Sequence, residues 1–309
     1  MPVGSSLRSL LANLTAGPGA DFYARRLLRR SRLARRLRVL MSPRPEQLLA
    51  AGRIDEHLRR EVDEDVELDV WLIRGRGDMA GRRGSVAVLH GLWDNKARLF
   101  GVGEQLAARG FDIVLPDLRG HGRSGGRHTT FGALEKRDVS RLMGALAGEG
   151  RIAEPRYAFG YSMGAAVAVQ YAAAEPRCRG VVAVAPFADG PSVVRRACLL
   201  MGRGKYDALW ARAGEIARFD PAETSTVAAA ATLTCPLTVV HGRLDWLVPY
   251  SHGKAVFDAA PQPKRLITIG WADHFTILIA RANWFAARLD CIAVDESPRH
   301  AETDARNAR

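Results

Sequence analysis

Lysine is almost missing from this chain: of 45 basic residues only five are Lys, and 40 are Arg. That bias points to arginine-rich coding at least as much as to selection for phosphate contacts. Cysteine is sparse as well. Cys178, Cys198, Cys235 and Cys291 lie far apart and form no Cys-x-x-Cys or Cys/His pattern, which predicts reduced structural thiols in a cytoplasmic protein and no structural zinc. No run of roughly 18 apolar residues occurs, so a membrane-spanning helix is not expected. The N-terminus has no apolar stretch followed by a small-residue cleavage site, so Sec-type export is not expected either. Gly-x-x-x-x-Gly-Lys-Ser/Thr and His-Glu-x-x-His are both absent, which removes a P-loop and a zincin site. No metal or cofactor is expected.

What is present is a globular composition. With 309 residues, 47% hydrophobic and 25% charged, the chain can bury a large core in one domain, or in one domain plus an insertion. The net charge of +12 invites a nucleic-acid reading, but +9 of it falls in residues 1–60, where 13 Arg face only Asp21, Glu46, Asp55 and Glu56. The remaining +3 is spread over the body, so no nucleic-acid partner is expected. Residues 1–62 therefore read as an Arg-rich helical extension. Within it, 22–41 (FYARRLLRRSRLARRLRVLM) places Tyr23, Leu27, Ala34, Leu37 and Met41 near one helical face, with arginines over most of the rest. Two readings of this segment stand side by side. One is peripheral adsorption to an anionic membrane surface. The other is a helix packed on the domain by its apolar stripe, with solvated arginines.

From about residue 66 the pattern changes. Strand-like runs at 66–73, 85–90, 112–116, 156–160, 180–185, 237–241 and 265–269 alternate with helical segments at 97–109, 134–147, 163–174, 252–260 and 275–289. Such alternation predicts an α/β fold with a mostly parallel sheet and helices on both faces. The runs VAVLHG, GVVAVAP and LTVVHG fit strands buried on both sides. Residues 187–235 break the rhythm with two helical patterns, 192–201 and 206–219, and read as a cap inserted between core segments 63–186 and 236–292. Residues 293–309 read as a flexible tail.

In 160-GYSMG-164 a serine stands between glycines, with a strand before it and an alanine-rich helix after it. The glycines remove side chains that would collide where strand turns sharply into helix, leaving Ser162 exposed above the sheet edge. The following helix aims its free amides at any charge that develops there, and the Met163 N–H becomes one oxyanion donor. A serine hydroxyl needs a base, and the base needs an orienting carboxylate. Of eight histidines, His274 in 270-GWADHF-275 lies in a loop between strand and helix, after a candidate acid in the order Ser, Asp, His. His90, His121 and His241 each precede a glycine at a strand end, a structural position. Asp245 in 241-HGRLDWLVP-249 is the favoured acid; Asp189 is the alternative, and Asp273 adjoins His274 but would point elsewhere. The second oxyanion amide is assigned to Leu92 in 89-LHGLWDN-95. Gly120 to Gly125 satisfies G-x-G-x-x-G, but HTTFG delays the helix and no strand-end acid follows, so a dinucleotide site is rejected.

The ordered set of HG-x at 90–92, Asp-x-Arg-Gly-His-Gly-x-Ser at 117–124, Gly-x-Ser-x-Gly at 160–164, His-Gly-x-x-Asp-x-x-Val-Pro at 241–249 and Asp-His at 273–274 resembles the α/β-hydrolase superfamily. Within it, the chain is most similar to the serine-aminopeptidase and monoacylglycerol-lipase-like (lysophospholipase-like) branch. The resemblance spans about 66–290. It implies an eight-stranded-type, mostly parallel sheet, Ser162 as nucleophile, His274 as base, Asp245 as acid, Leu92 and Met163 as oxyanion amides, and a cap over an acyl pocket. It departs at Ala165, where many relatives have a second glycine, and across the Arg-rich N-terminal 60 residues. The expected activity is cleavage of a small-molecule carboxylic ester or thioester, with peptidase or acyltransferase chemistry as alternatives on the same triad. A non-catalytic binding module tethered by its basic helix is the alternative of another class. Leu199, Tyr206 and Trp210 in the cap suggest an apolar acyl site, or simply amphipathic helices buried against the core.

Overall fold

The computed structural model describes residues 20–28, 32–76, 81–197, 203–279 and 282–294. Eight strands, β1 (Glu56–Asp63), β2 (Val66–Ile73), β3 (Ser85–Leu89), β4 (Asp112–Pro116), β5 (Arg156–Tyr161), β6 (Cys178–Val184), β7 (Leu237–Gly242) and β8 (Lys264–Ile269), form one sheet. Their order is β1-β2-β4-β3-β5-β6-β7-β8. β2 pairs antiparallel with both β1 and β4, and every other pairing is parallel. Every residue of β3 and β5 is buried, as expected for central strands with helices on both faces.

Two hydrophobic cores flank the sheet. On one side α5 (Glu135–Gly148), α6 (Met163–Ala174) and α10 (Tyr250–Ala259) contribute Leu142, Val169 and Val256. On the other, α4 (Phe100–Ala107) and α11 (Ala282–Val294) contribute Leu106, Phe285 and Leu289. The parallel strands all end at one edge, and the loops leaving that edge are where α/β sheets build their sites. The chain belongs to the α/β class with an eight-stranded, mostly parallel sheet, as its alternating pattern predicts.

Two boundaries differ from expectation for local reasons. Helix is expected from 275, but α11 starts at Ala282. Asp273 Oδ1 accepts the amides of Phe275 and Thr276 at 2.9 and 2.8 Å, which folds that stretch into a turn instead. Likewise α4 is preceded by a 3-10 turn at Lys96–Leu99, where Asn95 Oδ1 caps the Ala97 amide.

Over its described residues, the N-terminal segment is not a separate helical extension. β1 lies inside it and continues the sheet at an edge. Its sequence EHLRREVD is mostly charged because an edge strand faces water, and that polarity hides it from a hydrophobic-pattern reading. Before it come α1 (Ala20–Leu28), α2 (Arg32–Met41) and α3 (Pro45–Ala50). α1 docks on α8 (Arg203–Ala217), with Ala24 and Leu28 fully buried and Arg212 bonded to Asp21 at 2.6 Å. α2 lies differently from the expected face: Leu37 and Met41 are exposed, and Arg35 turns inward to the carbonyl oxygens of Gly122, at 2.7 Å, and Ser124. Two loop carbonyls that need donors thus decide which way the helix faces.

The interval 187–235 holds α7 (Gly190–Ala197), α8 and α9 (Thr226–Ala231). Tyr206 and Trp210 of α8 are buried in it. The Trp210 ring meets Phe131 at 5.2 Å and Phe219 at 5.9 Å between centroids, so these two side chains serve the core. Leu199 lies outside the described residues. Cys178 and Cys235 are buried free thiols, and Cys198 is not described. Among the described residues no helix is long and apolar enough to cross a membrane.

Beneath the edge that carries the site, Lys96 is buried between two buried carboxylates, donating to Asp117 Oδ2 at 2.7 Å and to Asp69. Burial alone would raise the Asp117 carboxyl, but the Lys96 ammonium holds it below the ordinary range. Removing the ammonium strands two carboxylates out of water. Lys96→Met is therefore expected to lower unfolding stability by about 3–5 kcal/mol, measured by urea unfolding; a loss under about 1 kcal/mol would mean that the three groups are far better hydrated.

Candidate active site

Ser162 occupies the single residue between β5 and α6, with φ 55° and ψ −119°. A non-glycine residue there carries about 1–3 kcal/mol of strain, which the surrounding structure must hold. Two glycines make the turn possible. A Cβ on Gly160 would stand 2.1 Å from Gly164 O, and one on Gly164 would stand 2.1 Å from Leu89 O. No side chain fits at either place. The Ser162 amide donates to Val184 O at 2.8 Å, and its carbonyl accepts the amides of Ala165 and Ala166 at 3.0 and 3.2 Å. Strand and helix thereby grip the turn from both sides.

Above it, Ser162 Oγ lies 2.9 Å from His274 Nε2, and His274 Nδ1 lies 2.7 Å from Asp245 Oδ2. A carboxylate only accepts, so the Nδ1 proton points to Asp245 and Nε2 is left free to accept from the serine hydroxyl. Asp245 reaches this position from the loop after β7, and His274 from the loop after β8. His274 and Asp245 are both buried. Burial pushes the Asp245 carboxyl up; hydrogen bonding from His241 and His274, the charge interaction with His274 and the Val248 amide outweigh it and hold the group at about 2. The Leu247 and Val248 amides bond Oδ1 at 3.0 and 2.7 Å. His241 Nε2 is 2.9 Å from Val248 O and 3.5 Å from Asp245 Oδ2, bracing the same loop.

The loop after β3 closes the site from the centre of the sheet. A Cβ on Gly91 would stand 3.4 Å from Ser162 Cβ, so its backbone runs directly past the serine. His90 Nε2 accepts the Leu118 amide at 3.0 Å, which leaves Nδ1 to donate to Gly91 O at 2.8 Å. His121 Nε2 sits 2.6 Å from Leu92 O. Two histidines that precede glycines therefore fix the peptides around Leu92, the structural part their positions suggest. The Met163 amide lies at the first turn of α6, beside Ser162.

Several candidates fall elsewhere. Asp189 caps α7, accepting the Ser192 amide at 2.7 Å, and is not beside His274. Asp273 holds its own turn. The glycine-rich loop at 120–125 closes on the protein's own carboxylate: Asp117 Oδ2 would be 2.0 Å from a Cβ on Gly122, and accepts the Arg123 amide at 2.8 Å. That cradle is filled, with no room for a phosphate. Tyr206 and Trp210 belong to the core described above. One contributor has no sequence signal beyond its place in the motif: the Tyr161 hydroxyl donates to His274 O at 2.6 Å, and its ring lies 5.2 Å from the imidazole. Among the described residues no group of three or more His, Cys, Asp or Glu side chains could hold a metal ion.

An α/β sheet that carries a strained serine, a histidine and an aspartate at its C-terminal edge defines the α/β-hydrolase class, and comparison with known proteins agrees. The sequence profile described as Serine aminopeptidase, S33 matches residues 80–213. The Monoacylglycerol lipase of Mycolicibacterium smegmatis is 30% identical over 216 residues, covering 57% of this chain and 75% of that one. The protein YfhR of Escherichia coli K12 is 25% identical over 224 residues, covering 71% of this chain and 73% of its own. The esterase Pf2001 of Pyrococcus furiosus superposes with TM-score 0.62 at 21% identity, over 80% of this chain and 95% of that one, a likeness of fold. The chain belongs to the α/β-hydrolase superfamily, in its monoacylglycerol-lipase-like branch, and is a hydrolase.

Strain at Ser162 has a measurable sign. Ser162→Gly is expected to unfold about 1 kcal/mol harder than Ser162→Ala, because only glycine takes this φ without a Cβ penalty. Thermal unfolding of the two variants side by side checks it; equal midpoints would mean an unstrained turn.

Proposed function

We propose that this chain is a serine hydrolase that cleaves a carboxylic ester or thioester through an acyl-enzyme on Ser162. The observation that carries this reading is the unbroken sequence of contacts from Ser162 Oγ to His274 Nε2 at 2.9 Å and from His274 Nδ1 to Asp245 at 2.7 Å, on a turn held at positive φ.

In this reading Ser162 Oγ attacks the acyl carbonyl as its proton passes to His274 Nε2. The imidazolium that forms is stabilised by Asp245, which stays ionised. The oxyanion is taken by the backbone N–H groups of Leu92 and Met163. Collapse breaks the bond to the alcohol or thiol, which leaves with the proton from His274. Water then attacks the acyl-enzyme, gives its proton to the same nitrogen, and the acid departs as Oγ is reprotonated. The relative named Monoacylglycerol lipase supports an ester rather than an amide. So does the charge of the cap: 187–235 carries six basic and five acidic residues, with no acidic cluster that would bind a peptide amine.

Two measurements test the reading. With p-nitrophenyl esters from acetate to palmitate, the parent is expected to hydrolyse with a preferred chain length, and Asp245→Asn is expected to lower kcat about 10⁴-fold by presenting the wrong His274 tautomer. A fluorophosphonate is expected to label the parent and not Ser162→Ala; labelling that survives the substitution would sink the assignment. The acid side of the pH profile should show a single proton. Asp245, held at about 2, stays charged across the working range and adds no proton to that limb. Log kcat/KM is expected to fall with unit slope, and a steeper limb would mean that Asp245 titrates with it.

A further inference from the structure

Single exposed leucines are ordinary on a protein surface, but contiguous exposed apolar groups mark an interaction face. Apart from Leu49, every large hydrophobic side chain exposed among the described residues lies at or beside the C-terminal edge of the sheet. Trp93, from the loop after β3, is 51% exposed; Trp246, from the loop after β7, is 58% exposed; Trp271, from the loop after β8, is 57% exposed. Phe275 and Ile279 extend the last of these loops, and the Trp246 and Phe275 rings lie 6.2 Å apart. Three tryptophans, on the loops that carry Leu92, Asp245 and His274, thus leave more than half of their surface in water. Indole rings of this kind settle at a membrane–water boundary, where the ring is buried and the N–H stays wet.

α2 joins the same face. Arg38 Nη1 bonds Asp94 beside Trp93 at 3.0 Å, and Ser42 Oγ accepts from Asn95 at 2.8 Å. Held there, with Arg35 turned inward, the helix shows Leu40 and Met41 to solvent at 79% and 85% exposure. That is the reverse of a helix packed by its apolar stripe. Exposed arginines surround these groups: Arg36 on α2, Arg44 just beyond it, Arg98 after β3 and Arg123 after β4. On the three loops that carry the tryptophans, Asp94 is paired with Arg38, Asp245 is buried against His274 and Asp273 is tied into its own turn. Apolar plate and cationic border together are complementary to an anionic bilayer surface.

We propose that this end of the molecule docks on an anionic lipid bilayer, so that Ser162 meets an acyl ester still seated in the membrane. The docking stands on the surface alone, and its second clause rests on the reading of Ser162 as nucleophile. The face would lie on the membrane without spanning it.

The test uses the full chain carrying Ser162→Ala, so that no lipid is consumed, with vesicles of phosphatidylcholine alone or with about one-third phosphatidylglycerol. Co-sedimentation is expected to be about tenfold or more stronger on the anionic vesicles and to weaken in high salt. Tryptophan fluorescence is expected to be quenched by brominated acyl chains. Leu40→Glu with Met41→Glu is expected to weaken binding about tenfold, as is Trp246→Ser, while the Leu40/Met41 variant in the Ser162 parent keeps its rate on soluble p-nitrophenyl butyrate. Absence of sedimentation, or binding that neither variant weakens, would overturn the proposal. So would self-association in light scattering that both variants abolish with no lipid binding, which would make this the contact face of a second copy. A parent that binds vesicles but hydrolyses no ester would remove the acyl-enzyme reading and leave the docking face intact.

Discussion

Everything at this site depends on how closely a helix can approach a strand. α6 begins one residue after β5 ends, and its first turn lies so near β3 that a single methyl on Gly164 would reach 2.1 Å from the Leu89 carbonyl oxygen. This closeness forces the chain through Ser162 at φ 55°. The serine is raised above the sheet because its neighbours on both sides are packed to contact. A looser junction would relax the turn and let the hydroxyl fall back among the strand ends. The strain is local, and the buried strands β3, β5 and β6 around it supply the stiffness to hold it.

Around this junction the loops are held mostly by buried polar groups. Lys96 binds Asp69 and Asp117 beneath the β3 loop, and the Gly120 to Gly125 turn wraps the same Asp117. His90 and His121, whose rings lie 5.0 Å apart, hold the peptides of Gly91 and Leu92. On the far side, Asp245 collects two amides and two imidazoles, and Asp273 builds the turn that presents His274. A buried polar network of this kind costs stability if any member is missing, and fixes geometry when all are present. It places three side chains from three separate loops within hydrogen-bond distance.

The N-terminal segment shows how a charged stretch can be built into a domain. β1 extends the sheet at an edge, Ala24 and Leu28 enter the core, and Arg35 satisfies two loop carbonyls next to the site. Leu37, Leu40 and Met41 of α2 are left exposed, beside the rim that carries the three tryptophans.

Much was legible in the sequence because its signals are local. Strands β2 and β4 and helix α6 fall where alternation of apolar runs puts them, since burial on both faces leaves no other composition for a central strand. The serine between glycines, and the order Ser162, Asp245, His274, were readable because a tight turn and a relay demand particular residue types. The edge strand β1 was hidden, because water on one side removes the hydrophobic period. The orientation of α2, the occupied cradle at Asp117 and the role of Tyr161 were hidden too. Each depends on which distant backbone carbonyl or side chain happens to lie opposite. Sequence by itself determined the inner strands of the sheet, the turn, and the serine and histidine that meet there. Only the tertiary structure decided their distances, the choice of Asp245 over Asp189, and which apolar residues remain in water. Those are set by contacts between residues far apart in the chain, such as Ser162 and His274, 112 positions apart, which no local pattern records.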